Sequence, residues 1–341
     1  MNKTIAKIAA SLAALLFAGS FAHAQTKVTI AVGGGACLCY LPTVLAKEIG
    51  AYDKAGLNVE LVDLKGGSDA LKAVLGGSAD VVSGYFDHTV NLAAKKQEMQ
   101  SFVVYDRYPG LVLVVSPSHT AEIKSIKDLA GKKVGVSAPG SSTDFFLKYQ
   151  LKKNGLDPNG VSVIGVGLGA TAVAAMQQGQ IDAAVMLDPA VTILQAAHAD
   201  LRILSDTRTE HDTRAVFGGD YPGGALYSTT SWIKAHPKET QALTGAILQT
   251  LAWIHGHSAE EIADKMPAAI VGKDKAQYVA ALKNTLPMYS QTGLMDPKGA
   301  EAVLAVFSTS SPDVAKANID VTRTYTNAFV EQATKTGGTA K

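Results

Sequence analysis

The residues best suited to chemistry sit in short loops. Cys37 and Cys39 stand two apart in GGGACLCYLP and are the only cysteines of the chain. Such a pair can be a redox couple, can hold a soft metal with a third ligand such as His88, or can simply pack in a glycine-rich loop. A bond between such close neighbours is strained on an extended chain, where successive residues point in opposite directions. Metal sites gather three or four ligands, so no metal is expected from two. In PGSST (139–143), Ser141, Ser142 and Thr143 precede a helical pattern. Their hydroxyls and backbone N–H groups either attract an acidic group or cap the helix. Ser68 follows Lys65-Gly66-Gly67 in the same manner, and Asp188 before Pro189 either accepts from a ligand amine or hydroxyl or caps its own helix. Tyr40, Tyr85 and Phe86 either wall a flat ligand or pack in the core.

No full catalytic constellation accompanies these groups. The chain lacks a G-x-S-x-G elbow, a phosphate-binding G-x-x-x-x-G-K-[ST] loop and an H-E-x-x-H helix. GVGLGA (165–170) lacks the dinucleotide spacing, and His255 and His257 fall on opposite sides of a helix. The expectation is a binding protein without catalytic residues, metal or cofactor.

The elements that position these loops follow from periodicity. KVTIAV (27–32), NVELVDL (58–64), DVVSG (80–84), FVVYD (102–106) and LVLVVS (111–116) read as strands, with helical patterns over 41–52, 68–77 and 87–96. Ser68 is the expected cap of the second helix. A similar series follows, with strands near 132–137, 161–167, 181–187 and 201–206 and helices starting at Ser141 to Thr143, Gly169 and Pro189. Alternation of this kind predicts an α/β architecture with parallel sheets covered by helices. GGALYSTTSWI (223–233) reads as a strand returning to the first lobe, and the remainder is helical. In open α/β sheets, ligands bind beyond the carboxyl ends of strands. The loops after the strands therefore converge on one cleft.

Composition bounds the class. The chain has 341 residues, 18% charged and 47% hydrophobic, with 31 basic and 30 acidic side chains. This length suits two lobes with their own cores, and the balanced charge leaves no footprint for nucleic acid. Lys3 and Lys7, an apolar run from Ile8 to Gly19 and Ala22-His23-Ala24 have the pattern of a secretory signal peptide cleaved after Ala24. The apolar run is shorter than the ~20 residues of a membrane span. A soluble, exported protein of the periplasm is expected.

The segments YLPTVLAKEIGAYDKAGLNVELVDLKGGSDALKAVLGGSADVV, SIKDLAGKKVGVSAPGSSTDFFLKYQLKKNGLDP and AAMQQGQIDAAVMLDPAV together resemble periplasmic solute-binding proteins of ABC importers. More narrowly, they resemble the nitrate/sulfonate/taurine-type family, which also contains binders of thiamine pyrimidine precursors and aromatic acids. The resemblance implies a two-lobed periplasmic-binding-protein clamshell of the type II-like class, with two hinge crossovers and a helical C-terminal region. Residues 1–24 would be the signal peptide, 25–117 and 223–333 a discontinuous first lobe, 118–222 the second, and 334–341 a disordered tail. The implied ligand loops carry Gly35, Cys37, Tyr40, Ser68, Tyr85, Phe86, Ser141, Ser142, Thr143 and Asp188. The implied partners are a small-molecule ligand and the permease and ATPase of the inner membrane, with the chain acting as a monomer. Because no arginine stands in these loops, with Arg107 the nearest, a small organic acid (aromatic carboxylate or alkanesulfonate) is favoured over nitrate. The alternatives are a binder of a thiamine pyrimidine precursor, a pyridoxal-phosphate-dependent synthase, and a ligand-sensing module for a receptor.

Overall fold

The computed structural model describes residues 25–337. The signal peptide expected over 1–24 therefore lies outside the described residues, as do 338–341. The tail expected from Thr334 begins as the last turn of the helix Ala328–Gly337.

Two five-stranded sheets form the frame. The first contains β1 (Thr26–Val32), β2 (Leu57–Asp63), β3 (Val81–Tyr85), β4 (Met99–Val104) and β10 (Gly224–Thr229), in the order β2-β1-β3-β10-β4. The second contains β5 (Val112–Val115), β6 (Lys133–Val136), β7 (Ser162–Gly165), β8 (Ala183–Met186) and β9 (Ile203–Asp206), in the order β7-β6-β8-β5-β9. Both sheets are mixed, which corrects the expectation of parallel ones. β10 runs antiparallel to β3 and β4, and β5 runs antiparallel to β8 and β9. These two are the strands that enter each sheet from the other one.

β5 also differs from the lobe boundary drawn at 117, because it pairs within the second sheet. Its VLVV sequence is buried throughout and would suit the middle of either sheet. The chain crosses earlier than its apolar pattern suggests, between Val104 and Val112. Tyr105 and Asp106, expected to continue β4, instead form this crossing. The return crossing ends beside it: Tyr105 N–H donates to Gly224 O at 2.9 Å, and Gly223 N–H to Asp106 O at 3.0 Å. The two crossings thus lie side by side, joined by backbone hydrogen bonds.

The helices α1 (Leu41–Glu48), α2 (Ala51–Lys54), α3 (Gly67–Leu75) and α4 (Asp87–Ala94) flank the first sheet. The single helix expected over 41–52 is divided at Gly50, whose φ of 68° is open to glycine at little cost. In the second lobe stand α5 (Ser142–Lys153), α6 (Ala170–Gln177), α7 (Ala190–Ala197) and α8 (Glu210–Phe217). The last of these has no strong apolar period to announce it. The C-terminal helices do not serve the first lobe alone. Pro237–His255 packs on α1 and α2, whereas Lys275–Thr285 reaches α7 and Pro297–Ser310 lies against both α4 and α5. Among the described residues, no helix is long and apolar enough to cross a membrane.

Candidate functional site

The loops beyond the strand ends meet between the lobes. Gly66 brings the backbone at the start of α3 against the second lobe, and Gly67 brings it against His88 of α4. A Cβ at Gly66 would lie 2.9 Å from Ser137 Oγ and 3.0 Å from Ser141 Oγ, and one at Gly67 would lie 2.6 Å from His88 Cε1. Only glycine permits this approach. Ser68 is therefore not the helix cap that its type suggests: Gly66 occupies that position. Instead Ser68 N–H donates to Ser141 Oγ at 3.0 Å, and Ser141 Oγ donates to Ser68 Oγ at 3.1 Å. Ser141 likewise stands at the N-cap of α5 but makes no side-chain capping bond. The N-termini of α3 and α5, one from each lobe, face each other through these two serines.

Thr143 and Asp144 hold the loop in shape. Thr143 Oγ1 accepts from Ser137 N–H at 3.0 Å, and Asp144 Oδ2 accepts from Gly140 N–H at 2.7 Å and from Lys148 at 2.9 Å. Ser142 crosses the cleft: its hydroxyl donates to Asp87 Oδ1 at 2.7 Å. Tyr221, from the return crossing, donates to Asp87 Oδ2 at 3.3 Å. Asp87 is buried, and loss of solvation pushes its carboxyl up to about 7 despite these donors and the His88 backbone N–H. Burial pulls the neighbouring His88 down to about 4, while the Gly140 backbone favours its charged form. His88 Nδ1 pairs with Tyr227 OH at 2.7 Å, its Nε2 has no partner of good hydrogen-bond geometry, and its ring meets Phe145 of α5 edge-on.

The aromatic pair divides. Tyr85 meets Tyr40 edge-on at 6.1 Å and donates to Pro109 O in the first crossing. Phe86 packs against Tyr325 in the C-terminal segment, the core packing that its sequence left open beside a ligand wall. Gly35 is held within the first lobe, donating to Asp63 Oδ1 at 2.6 Å. The adjacent Gly34, at φ 122°, lies so close to Leu168 that a Cβ would stand 2.9 Å from its Cδ1.

Cys37 and Cys39 are joined by a disulfide with a Cα–Cα distance of 5.2 Å, within the ordinary span. The chain here is a 3₁₀ turn over Leu38–Tyr40 rather than a strand, so both side chains reach the same side. Among the described residues, no group of three or more His, Cys, Asp or Glu could hold a metal ion. Leu38, inside the disulfide loop, donates its N–H to Asp188 O at 3.0 Å and accepts from Tyr289 OH at 2.8 Å. Cys39, Asp188 and Arg208 line a cavity of about 10 Å³ there, room for about one water.

Asp188 caps the first turn of α7 through Thr192, whose N–H and hydroxyl donate to Oδ1 at 2.9 and 2.7 Å. Its Oδ2 lies 3.5 Å from Arg208, which also pairs with Asp206 at 2.7 Å. Arg107, the arginine singled out from the sequence, pairs instead with Glu210 at the surface. Asp188→Ala is expected to lower unfolding free energy by about 1–2 kcal/mol through the lost cap. Urea denaturation reads this directly, and an unchanged midpoint would assign the cap no weight.

Asp106, Tyr221 and Arg208 are the polar residues that sequence reasoning missed, and Asp87, although it ends the loop nominated after β3, is not among the residues expected to bind. Asp106 is fully buried in the first crossing, where Gly224 N–H donates to Oδ2 at 3.1 Å and Oδ1 has no partner. Burial pushes its carboxyl well above the usual range. An acid at a helix start is commonplace, and only the fold reveals that Asp87 faces another helix.

Two mixed sheets linked by a paired crossing, with loops meeting between them, define a periplasmic-binding-protein fold. The chain belongs to the family described as NMT1/THI5 like, which matches residues 40–261. A solved structure from Bordetella bronchiseptica RB50 is 41% identical, with TM-score 0.89, covering 92% of this chain and 98% of that one. The alkanesulfonate-binding protein SsuA from Xanthomonas axonopodis pv. citri, bound to MOPS, shares 18% identity and TM-score 0.69 over 89% of this chain and 98% of its own, a likeness of fold. Among curated proteins, 4-amino-5-hydroxymethyl-2-methylpyrimidine phosphate synthase of Uromyces fabae is 24% identical over 227 residues, 65% of this chain. The chain spans 64% of that protein's length.

Proposed function

We propose that this protein is the solute-binding component of an ABC importer, which captures a small organic acid between its lobes and delivers it to a membrane permease. The observation that carries the reading is the meeting of the α3 and α5 N-termini through Ser68 and Ser141, with Ser142 reaching Asp87 at the start of α4. Backbone N–H groups at two helix starts, with hydroxyls between them, suit a carboxylate or sulfonate. Contacts from both lobes favour only the closed form, so binding shifts a population that a permease can read. Tyr40 and Tyr85 offer an aromatic wall to the ligand's body. The non-enzymatic role and export to the periplasm belong to the same reading.

A thermal-shift panel of aromatic carboxylates, alkanesulfonates, nitrate and aminopyrimidines tests it. A ligand at 100 times its dissociation constant adds about 2.7 kcal/mol to stability. An acid that raises the melting temperature supports the proposal, and a panel in which no acid does so overturns it. Ser142→Ala is expected to weaken binding of the responding acid about tenfold, through loss of the hydroxyl that turns from Asp87 to the ligand, with a smaller effect on neutral compounds. Equal loss for both classes, measured by titration calorimetry, would place the acidic group elsewhere.

A second reading is a binder of an aminopyrimidine. Asp87 favours it, since a buried carboxyl beside the seat can pair with ring nitrogens and an amino group. In the same panel, a shift from aminopyrimidines alone would select it.

A further inference from the structure

Asp87 already places a carboxyl group where the proposed ligand would bring its own. Its Oδ1 accepts from the hydroxyl of Ser142, the first residue of α5, so the carboxyl lies at the N-terminus offered to the ligand. Asp87 is 1% exposed, and among the described residues no ion pair reaches it. Its oxygens depend on two neutral hydroxyls and a backbone N–H.

The groups around it supply no positive charge. Tyr40 from the 3₁₀ turn, Tyr85 from β3, Tyr227 from β10 and Tyr221 from the return crossing all feel its charge. Burial leaves each of these tyrosines neutral at pH 7, and it keeps His88 neutral as well. On α5, Asp144 and Lys148 pair with each other. The C-terminal segments against α4 carry Lys298, Glu301, Asp313, Lys316 and Arg323, and none contributes to its protonation balance. Two like charges cannot share a dry site of this kind, so one of the pair must be neutralised.

We propose that an acidic ligand enters this seat together with one proton taken from solvent, held on Asp87 or shared between Asp87 and the ligand's acid group. The inference rests on the organic-acid reading above. Asp87 then acts as a specificity-determining residue. It admits monoanions, and it disfavours dianions, whose second charge would have no partner. A sulfonate, too weak a base to hold the proton, leaves it wholly on Asp87, and a carboxylate can share it. Burial has already moved the Asp87 carboxyl to about 7, so a second negative charge at the seat moves it higher still.

The test is titration calorimetry of residues 25–341 with benzoate and ethanesulfonate as probes, at pH 8.5 in phosphate and in Tris. Buffers of different ionisation enthalpy report protons taken up on binding. The expected result is close to one proton per ligand, with the dissociation constant rising about tenfold per pH unit above pH 8. In Asp87→Asn, uptake disappears and affinity becomes independent of pH between 7 and 9. The wild-type comparison of two buffers needs no variant, so the test survives if Asp87→Asn folds poorly. Binding without proton uptake overturns this inference and leaves the organic-acid reading in place. If neither probe binds, the same two-buffer titration is made with the acid that raises the melting temperature; absence of any such acid overturns that reading, and this inference with it.

Discussion

Asp87→Asn is expected to stabilise the protein at pH 8 by up to about 4 kcal/mol and to change it little at pH 4. The sign follows from burial. The Asp87 carboxyl titrates near 3.8 in the unfolded chain and is pushed up to about 7 in the fold. Below 3.8 both states hold the proton, and the native contribution is complete. As pH rises toward 7 the unfolded chain loses the proton first, so stability falls by about 1.4 kcal/mol per unit and then levels off. Asparagine keeps an acceptor for Ser142 and turns an amide donor toward Tyr221, without a charge to desolvate.

His88 works the other way. Burial lowers its titration from 6.5 to about 4, so its contribution is complete above 6.5 and is lost as pH falls through that window. Between pH 4 and 6.5 the two residues have opposite slopes of similar size, and the substitution unmasks the histidine. Asp106, raised for the same reason as Asp87, stays on Asp87's side in both proteins and cancels in the comparison. Urea unfolding of wild type and Asp87→Asn at pH 4, 6 and 8 measures the difference. A variant destabilised equally at all three would show that Asp87 is ionised and satisfied in the fold.

This residue also marks where sequence reading stops. The alternation of strands and helices is legible because hydrophobic periodicity is local, and the rule that ligands gather beyond strand ends nominates the loops of Ser68, Ser141 and Tyr85. The partners of those loops belong to tertiary structure. Ser68 and Ser141 have the type and position of helix caps, and nothing local distinguishes a hydroxyl that caps from one that crosses a cleft. Asp87 reads as an acid suited to its helix dipole. Arg208 lies in DTRTEHDTR, a polar stretch without apolar period, so neither α8 nor the pairing with Asp188 is visible. β5 is apolar on both faces, and its sequence is silent about which sheet receives it. For Cys37 and Cys39, the deciding feature is a 3₁₀ turn whose glycine-rich sequence is equally compatible with an extended loop.

The paired crossing is where a single methyl group should matter most. Gly224→Ala is expected to destabilise the protein by about 3–5 kcal/mol, the sum of overpacking and a lost buried hydrogen bond. An added Cβ would stand 2.1 Å from Tyr105 Cε2 and 2.4 Å from Asp106 Oδ2. Tyr105 cannot retreat freely, since it is fully buried and its hydroxyl pairs with Ser83 at 2.8 Å. Asp106 cannot move without losing Gly224 N–H, the one donor to its carboxyl among the described residues, and its Oδ1 already lacks a partner. Gly245→Ala serves as the internal comparison. It lies within the helix Pro237–His255, and its Cβ would meet nothing within 4 Å, so the same substitution should stabilise by up to about 1 kcal/mol through helix propensity. Urea midpoints for the two variants should therefore move in opposite directions. If Gly224→Ala matched wild type, Tyr105 and Asp106 would have room to shift, and the crossing would be a loose tether. If it falls as expected, the two crossings are a close-packed pair of strand ends with no slack for an added methyl group.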